Sequence, residues 1–96
     1  MKILGIDPGI GITGYSVIEA DQNGYQLVTS GSIQTDKSMP VSKRLSEIFD
    51  DITEICKAYN PDEASIEQLF FFKNQKTIIP VAEARGVILL ALEKVG

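Results

Sequence analysis

Two short apolar segments of this chain each end on a carboxylate, and an amphipathic helix lies between them. The first segment covers residues 2–7 and ends on Asp7; the second covers residues 63–67 and ends on Glu67. A strand, a helix and a second strand form a crossover unit, which returns the second strand parallel to the first. If the two strands are neighbours, their carboxyl ends meet at one edge of the sheet. The sequence therefore predicts that Asp7 and Glu67 are spatial partners.

Two further strands are predicted between the first acid and the helix. β-rich segments run from Ile12 to Glu19 and from Tyr25 to Gln34, and Asn23-Gly24 is a strong hairpin signal. With the first strand they form a three-stranded antiparallel meander. The fold class is therefore α/β, with a mixed sheet and the order β-β-β-α-β-α.

Two helices complete this order. The first begins at Pro40, carries apolar side chains at helical spacing along one face, and ends at Asn60-Pro61. The second runs from about Ile79 or Pro80 to Lys94 and is apolar nearly all round after Arg85. Such a helix needs a sheet with neighbouring elements, or a partner chain, to cover it.

Composition excludes several kinds of site. The chain has no histidine, which removes the Ser-His-Asp triad, the Cys-His pair and every His-ligated metal site. The single cysteine, Cys56, cannot form an internal disulfide and lies on the apolar stripe of the first helix. No apolar run reaches the roughly 20 residues of a membrane span, and no signal peptide is recognisable, so a cytoplasmic location without membrane contact is predicted. The net charge of −4, taken alone, argues against a polyanion-binding protein.

The predicted carboxylate pair favours a metal ion. Two carboxylates at adjacent strand ends repel each other, and ionising both is unfavourable unless a cation lies between them. Because the pair offers only oxygen ligands, it selects a hard ion such as Mg²⁺ or Mn²⁺. Two such ions can activate a water molecule and stabilise the leaving oxygen of a phosphodiester. The alternative is structural, with Asp7 in an Asx turn and Glu67 as an ordinary strand-end acid.

A glycine-rich link follows Asp7 and is a candidate phosphate-binding loop. Its residues are Gly9, Gly11, Thr13 and Gly14, and the glycines let a backbone approach a phosphate closely. The link is not a dinucleotide fingerprint, because a β-rich segment follows it where a helix would be required. The alternative is glycine at a tight hairpin turn.

The segment after Glu67 is aromatic and basic. It runs from Gln68 to Thr77 and contains three phenylalanines, followed by Lys73 and Lys76. Exposed Phe beside Lys suits stacking on an unpaired base while the amines meet phosphates. The alternative is a loop that is pinned to the core by its phenylalanines.

Five groups of residues are specific in combination, through their order and spacing: Gly5-Ile6-Asp7-Pro8-Gly9, Thr13-Gly14-Tyr15, Ile66-Glu67-Gln68, Phe70 with Lys73-Asn74, and Ala84-Arg85-Gly86. With them the chain resembles the RuvC family of bacterial Holliday-junction resolvases over essentially its whole length. Ser16 stands where Gly or Ala is more usual in that family.

The resemblance implies a fold, an activity and partners. The fold is RNase H-like, and the family acts as a homodimer that makes paired, symmetrical nicks in four-way junction DNA with Mg²⁺, two ions per complete site. Branch-migration helicase partners are implied as well. Asp7 and Glu67 match the first two metal-binding catalytic acids, and Phe70 matches the aromatic that lies against bases at the junction centre. Lys73, Asn74 and Lys76 are the accompanying candidate DNA contacts.

The family's pattern also extends beyond this chain. Its members carry a fifth strand and a final helix with the remaining acidic ligands, to which no residue here corresponds. Residues 1–96 are therefore predicted to be the N-terminal portion of a single nuclease domain, with a partial metal site and no useful activity alone. An apolar edge at Glu63 to Glu67 would then be exposed, which predicts a dimer or larger assembly.

Three other functions stay open on the residues alone. One is an RNase H-fold nuclease of the YqgF type that acts on RNA. Another is an ATP-binding domain of the actin and sugar-kinase type, which shares an early strand with an Asp-x-Gly turn. The third is a binding module without catalysis.

Overall fold

A computed structural model describes residues 1–67 and 75–96 of the chain. Its elements confirm the predicted order β-β-β-α-β-α. They are β1 (Lys2–Asp7), β2 (Ile12–Asp21), β3 (Gly24–Gln34), α1 (Val41–Tyr59), β4 (Glu63–Ile66) and α2 (Gln75–Val95).

The strands form one mixed sheet in the order β3-β2-β1-β4. β1 pairs antiparallel with β2 and parallel with β4, so the predicted crossover and the predicted meander are both present. The start of β4 is fastened to β1 at Lys2, whose N–H donates to the Asp62 carboxylate and whose carbonyl accepts from the Asp62 N–H, each at 2.8 Å. Its end is fastened where the Glu67 N–H donates to the Ile6 carbonyl at 3.1 Å.

The hydrophobic core lies on one face of the sheet. Side chains alternate along β1, and Leu4 and Ile6 point to the face that the helices cover. The residues between and after them, Gly5 and Asp7, therefore belong to the opposite face. The buried core consists of Leu4, Ile6, Val17, Ile33, Ile48, Ile52, Cys56, Ala84, Ile88 and Ala91.

Helix α1 has the predicted amphipathic character. Ile48, Ile52 and Cys56 are buried along its inner face. Burial raises the pKa of the Cys56 thiol, as expected for a cysteine that acts as a small core residue. The helix ends at Asn60, which has a φ of 49° and donates its N–H to the Cys56 carbonyl at 2.8 Å. Asn tolerates this left-handed conformation, and the following Pro61 cannot continue the helix.

The hairpin turn lies one residue earlier than Asn23-Gly24 predicts. Asp21 pairs with Gly24, so Gln22 and Asn23 are the central turn residues. The Asp21 carboxylate accepts the Asn23 N–H at 2.8 Å, an Asx turn that fixes this position. Gly24 follows with a φ of 121°, which its missing Cβ permits.

Helix α2 begins at Gln75, so the predicted start at Ile79 or Pro80 was wrong. Pro80 lies inside the helix. Proline is favoured in a first helical turn, and that preference misplaced the start. As the sixth residue of α2 it lies just beyond the four N–H groups that lack an intrahelical partner, so it costs the helix one main-chain hydrogen bond.

The outer side of α2 is only partly covered. Ala84, Ile88 and Ala91 are fully buried, whereas Leu89 and Leu90 are 45% and 50% exposed. In the part of the chain that the structure describes, no helix is long and apolar enough to cross a membrane.

Candidate active site

Asp7 and Glu67 lie at adjacent strand ends, as the crossover predicts. Asp7 is the last residue of β1 and pairs with Gly14 of β2. Glu67 directly follows β4, whose last residue, Ile66, pairs in parallel with Ile6. Both acids are exposed. The structure thus brings the two carboxylates together at one end of the sheet.

The two acids line a shallow cleft of about 220 Å³ on the sheet face opposite the helices. Its floor is built from small residues: Gly5, Gly14, Ser16 and Ser65. A Cβ at Gly14 would lie 3.7 Å from the Asp7 Cβ, and one at Gly5 would lie 3.3 Å from the Ser16 Oγ. Ile6 and Tyr15 also line the cleft, and both pack with the hydrophobic core. Among the described residues, the small side chains of the floor therefore leave the two carboxylates open to a ligand.

A second and larger cavity, about 430 Å³, lies away from these acids. It is bounded by the end of α1, the start of β4 and the end of α2, including Cys56, Ala64 and Leu92. Size alone would favour this cavity as a ligand site, and Asp62, Glu63 and Glu93 line it. The Asp62 carboxylate, however, already accepts the Lys2 N–H, and among the described residues these acids do not form a group that could hold a metal ion. We therefore take the cleft at Asp7 and Glu67 as the candidate active site.

The donor set of the cleft fits a hard cation. Ionised carboxylates offer only acceptor oxygens, which are the ligands that such ions prefer. Within residues 1–67 and 75–96, no group of three or more His, Cys, Asp or Glu side chains could hold a metal ion. Asp7 and Glu67 would therefore supply two of the ligands of a larger shell.

The loop after Asp7 is held by Thr13, whose side chain is fully buried. The Thr13 hydroxyl donates to the Gly9 carbonyl at 2.6 Å and accepts the Gly9 N–H at 3.2 Å. Of the phosphate-loop candidates, Gly14 lies in the cleft floor, while Thr13 and Gly9 satisfy each other and Gly11 lies beside Arg44. Phosphate binding by this loop stays a prediction.

Comparison with known proteins decides the family. The family model for crossover junction endodeoxyribonuclease RuvC matches residues 3–96. This chain belongs to the RuvC family. It is 54% identical over 91 residues to the RuvC of Thermosipho melanesiensis, a match that covers 95% of this chain and 58% of that protein. It is 50% identical over 91 residues to the RuvC of Fusobacterium nucleatum, with 95% and 48% covered. The chain thus spans about half to three fifths of the length of these relatives.

The fold agrees with a solved RuvC structure. "T. thermophilus RuvC in complex with Holliday junction substrate" superposes with a TM-score of 0.92 at 25% identity, over 100% of this chain and 61% of that one. The RNase H-like fold and the family resemblance are both confirmed. The alternatives of a YqgF-type nuclease and an ATP-binding domain are not favoured.

Sequence reasoning missed residues that line or support the cleft. Ser65 lies in β4, two positions before Glu67, and the alternation of side chains along a strand could have placed both residues on one face. Arg85 belongs to a recognised motif without an assigned role. Its Nε donates to the Glu67 carbonyl at 3.3 Å, a contact between distant residues that no local pattern reveals.

The predicted DNA contacts fall largely outside the described residues. Phe70, Lys73 and Asn74 lie between residues 67 and 75, and the side chain of Lys76 is not described either. Their roles stay predictions. Their position in the sequence, directly after Glu67, places them next to the candidate site along the chain.

Proposed function

We propose that this chain supplies the first two acids of a metal-dependent endonuclease that makes paired nicks in four-way DNA junctions. The observation that carries the proposal is the position of Asp7 and Glu67 at adjacent ends of β1 and β4, above an open floor of glycine and serine. Since the chain spans 48–58% of the two relatives above, residues 1–96 are proposed as the N-terminal portion of a single nuclease domain. Further acids would come from the remainder of that domain.

The proposed cofactor is Mg²⁺, with Mn²⁺ as a substitute and two ions in the complete site. When bound, the ions would activate a water molecule and stabilise the leaving oxygen of the cut bond. Asp7 and Glu67 would hold them, because two ionised carboxylates on neighbouring strands repel each other unless a cation lies between them. Their exposure leaves room for water and a phosphate oxygen in the rest of the coordination shell.

The sheet face opposite the helices suits a DNA backbone, because no described element packs on it. Helices α1 and α2 pack on the other face, and the small residues of the cleft floor allow a phosphodiester to approach the acids. The exposed acids of α1 point away from the sheet, and thus away from the cleft: Glu47, Asp50, Asp51 and Glu54. The net charge of −4 therefore does not describe the surface that would meet DNA.

The segment after Glu67 would provide the remaining contacts. Phe70 would stack on a base at the junction centre, while Lys73, Asn74 and Lys76 would contact the strand beside it. Stacking and amine contacts tolerate many sequences, so they suit recognition of an opened junction.

We also propose the partners that paired nicking requires. Two symmetrical cuts need two active sites, so the working form would be a homodimer. The exposed side chains of Ile79, Leu89 and Leu90 on α2 supply apolar surface for such a contact. A branch-migration helicase would deliver the junction, and the protein would act in the cytoplasm.

The test compares single substitutions in the complete protein that carries this chain. Asp7→Asn and Glu67→Gln keep the side-chain size and remove the charge, while Asp51→Asn on the exposed face of α1 is the matched control. We expect both site variants to bind a synthetic four-way junction normally and to cut it at least about 100-fold more slowly with Mg²⁺. The control should cut at the wild-type rate.

Two outcomes would contradict the proposal. Wild-type cleavage by Asp7→Asn would remove the acid from the mechanism. Faster cleavage of a structured RNA than of the junction by the wild-type protein would favour an RNA nuclease in place of a resolvase.

A further inference from the structure

The loop of residues 8–11, directly after Asp7, is tied to three other parts of the chain. Thr13 bonds to both main-chain groups of Gly9. On the other side of the loop, the Thr35 N–H donates to the Gly11 carbonyl at 3.0 Å, and the Thr35 hydroxyl donates to the Ile10 carbonyl. Thr35 follows β3, so the end of a distant strand fixes the loop.

Arg44 of α1 completes this support. Its Nε donates to the Thr35 hydroxyl oxygen at 2.9 Å, and Arg44 and Thr35 are both half-buried. The positive charge of Arg44 strengthens its hydrogen bond to Thr35. Because Arg44 donates to the hydroxyl oxygen, the hydroxyl proton is free to point at the Ile10 carbonyl. An Nη atom of Arg44 also lies 3.6 Å from where a Cβ on Gly11 would stand. Arg44 therefore contacts the loop through Thr35 and also lies directly beside it.

The turn after Thr35 is ordered as well. The Asp36 carboxylate accepts the Ser38 N–H at 2.9 Å, and the Met39 N–H donates to the Asp36 carbonyl at 3.0 Å. The Ser38 N–H holds the pKa of the Asp36 carboxyl below its usual range. Thr35 thus stands between a paired strand and an ordered turn, and its hydroxyl has little freedom to move.

We propose that Arg44, acting through Thr35, is a positioning residue that sets the direction of the Asp7 carboxylate. The backbone on the N-terminal side of Asp7 is held by strand pairing in β1, and the backbone on its C-terminal side is held by this loop. Without Arg44 the Thr35 hydroxyl loses the donor that orients it toward the Ile10 carbonyl, and without the hydroxyl that carbonyl loses its partner. Either change lets the backbone that carries Asp7 relax. Hard cations demand well-placed oxygen ligands, so metal affinity should fall even where the fold persists. The proposal rests on the proposed metal-dependent function.

The test uses the complete protein and variants of both residues. Thr35→Val removes the hydroxyl at nearly constant volume, and Arg44→Met removes the donor but keeps the aliphatic length. Thr35→Ser keeps the hydroxyl and removes only the methyl group. If Arg44→Met fails to fold, Arg44→Lys is the milder change. Lys43→Met, which removes the exposed neighbouring cation, is the control.

Two readouts do not depend on cleavage. Amide hydrogen exchange at Gly9 and Thr35 should speed up at least about tenfold in Thr35→Val and Arg44→Met, because opening of the loop becomes easier. Mn²⁺ affinity, measured by electron paramagnetic resonance, should fall about tenfold, as for other supports of metal ligands. Thr35→Ser and Lys43→Met should stay within about twofold of wild type on both scales, and junction affinity without metal should not change.

The outcomes separate this proposal from the proposed function. Wild-type Mn²⁺ affinity in both Thr35→Val and Arg44→Met would overturn the positioning role. The role would also be overturned if Thr35→Ser, which keeps the hydroxyl, lost as much Mn²⁺ affinity as Thr35→Val. If the wild-type protein binds Mn²⁺ through Asp7 but cuts no junction, the nuclease function fails and the metal affinities alone decide the role of Arg44. If the wild-type protein binds no Mn²⁺, both proposals are wrong.

Discussion

Asp7 stands at the end of a central strand, whereas Glu67 stands at the end of a strand whose only described neighbour is β1. β1 is paired on both sides, and the loop after Asp7 is tied to Thr13, Thr35 and, through Thr35, to Arg44. β4 has four residues. At its end, the Glu67 main chain has one bond to Ile6 at 3.1 Å and a longer one from Arg85 at 3.3 Å. Among the described residues, the fold therefore supports the first acid with more contacts than the second.

This difference in support bears on how each acid would bind a metal ion. A hard ion needs ligands at defined distances, and a firmly held Asp7 would supply a carboxylate at a fixed position. Substitutions around Asp7 should consequently affect stability and metal affinity together, whereas those around Glu67 should affect mainly metal affinity.

The largest effect is expected at Gly9. A Cβ there would overlap the Ile12 carbonyl oxygen, so the backbone after Asp7 must move. We expect Gly9→Ala to lower the free energy of unfolding by about 1–3 kcal/mol in urea denaturation. Gly86→Ala is the control, because a Cβ on this helical residue meets nothing within 4 Å. The control should be neutral or slightly stabilising, since alanine favours helices; equal losses in both variants would refute the argument.

The next effect concerns the buried hydroxyl of Thr13. Thr13→Val removes a fully buried hydroxyl and leaves the partly buried N–H and carbonyl of Gly9 without their partner, which should cost about 1–3 kcal/mol. Thr53→Val is the matched control. The Thr53 hydroxyl bonds to the Phe49 carbonyl within α1, so its loss should cost under about 0.5 kcal/mol. Thermal unfolding of both variants measures the difference, and a Thr13 variant as stable as the Thr53 variant would contradict the proposed support.

A smaller effect is expected on the Glu67 side. Arg85→Met frees the Glu67 carbonyl, which is exposed and can bond to water instead. Stability should change by less than about 0.5 kcal/mol, while Mn²⁺ affinity should fall a few-fold, less than in Arg44→Met. Lys94→Met, at the far end of α2, controls for loss of a cation from the same helix. A greater loss of affinity in Arg85→Met than in Arg44→Met would reverse the comparison between the two acids.

The smallest effect is a pH dependence at Asp36. Its pKa is lowered in the folded protein, chiefly by the Ser38 N–H. A lowered folded pKa stabilises the protein above the unfolded pKa, and this contribution is lost as the pH falls through the folded value. Wild type should therefore lose more stability than Asp36→Asn between about pH 5 and pH 2. Parallel stability curves for the two proteins would show that the Asp36 contact is negligible.

Much of the site could be predicted because it follows from short patterns. Strands that end on Asp7 and Glu67, with one helix between them, have few ways to pair, and the crossover rule selects the parallel arrangement. The exact hairpin turn was missed because the Asp21 side chain, rather than Gly24, fixes it. The start of α2 was missed because Pro80 was expected to begin the helix.

The supports of the two acids could not be predicted. Arg44 and Thr35 meet the loop after Asp7 only once α1 and β3 have packed, and no local spacing signals such a contact. Arg85 of α2 contacts the Glu67 carbonyl in the same way, through packing and not through a local pattern. Patterns in a sequence indicate which residues carry chemistry, whereas the residues that hold them in place depend on the tertiary fold.

The most direct test of the account is a double-mutant cycle for Mn²⁺ binding to the complete protein, with Asp7→Asn, Glu67→Gln and the double variant. If the two acids share an ion, each single substitution should weaken binding at least about tenfold, and the double variant should lose much less than the product of the two losses. Independent, multiplying losses would contradict the account, and so would wild-type affinity in either single variant.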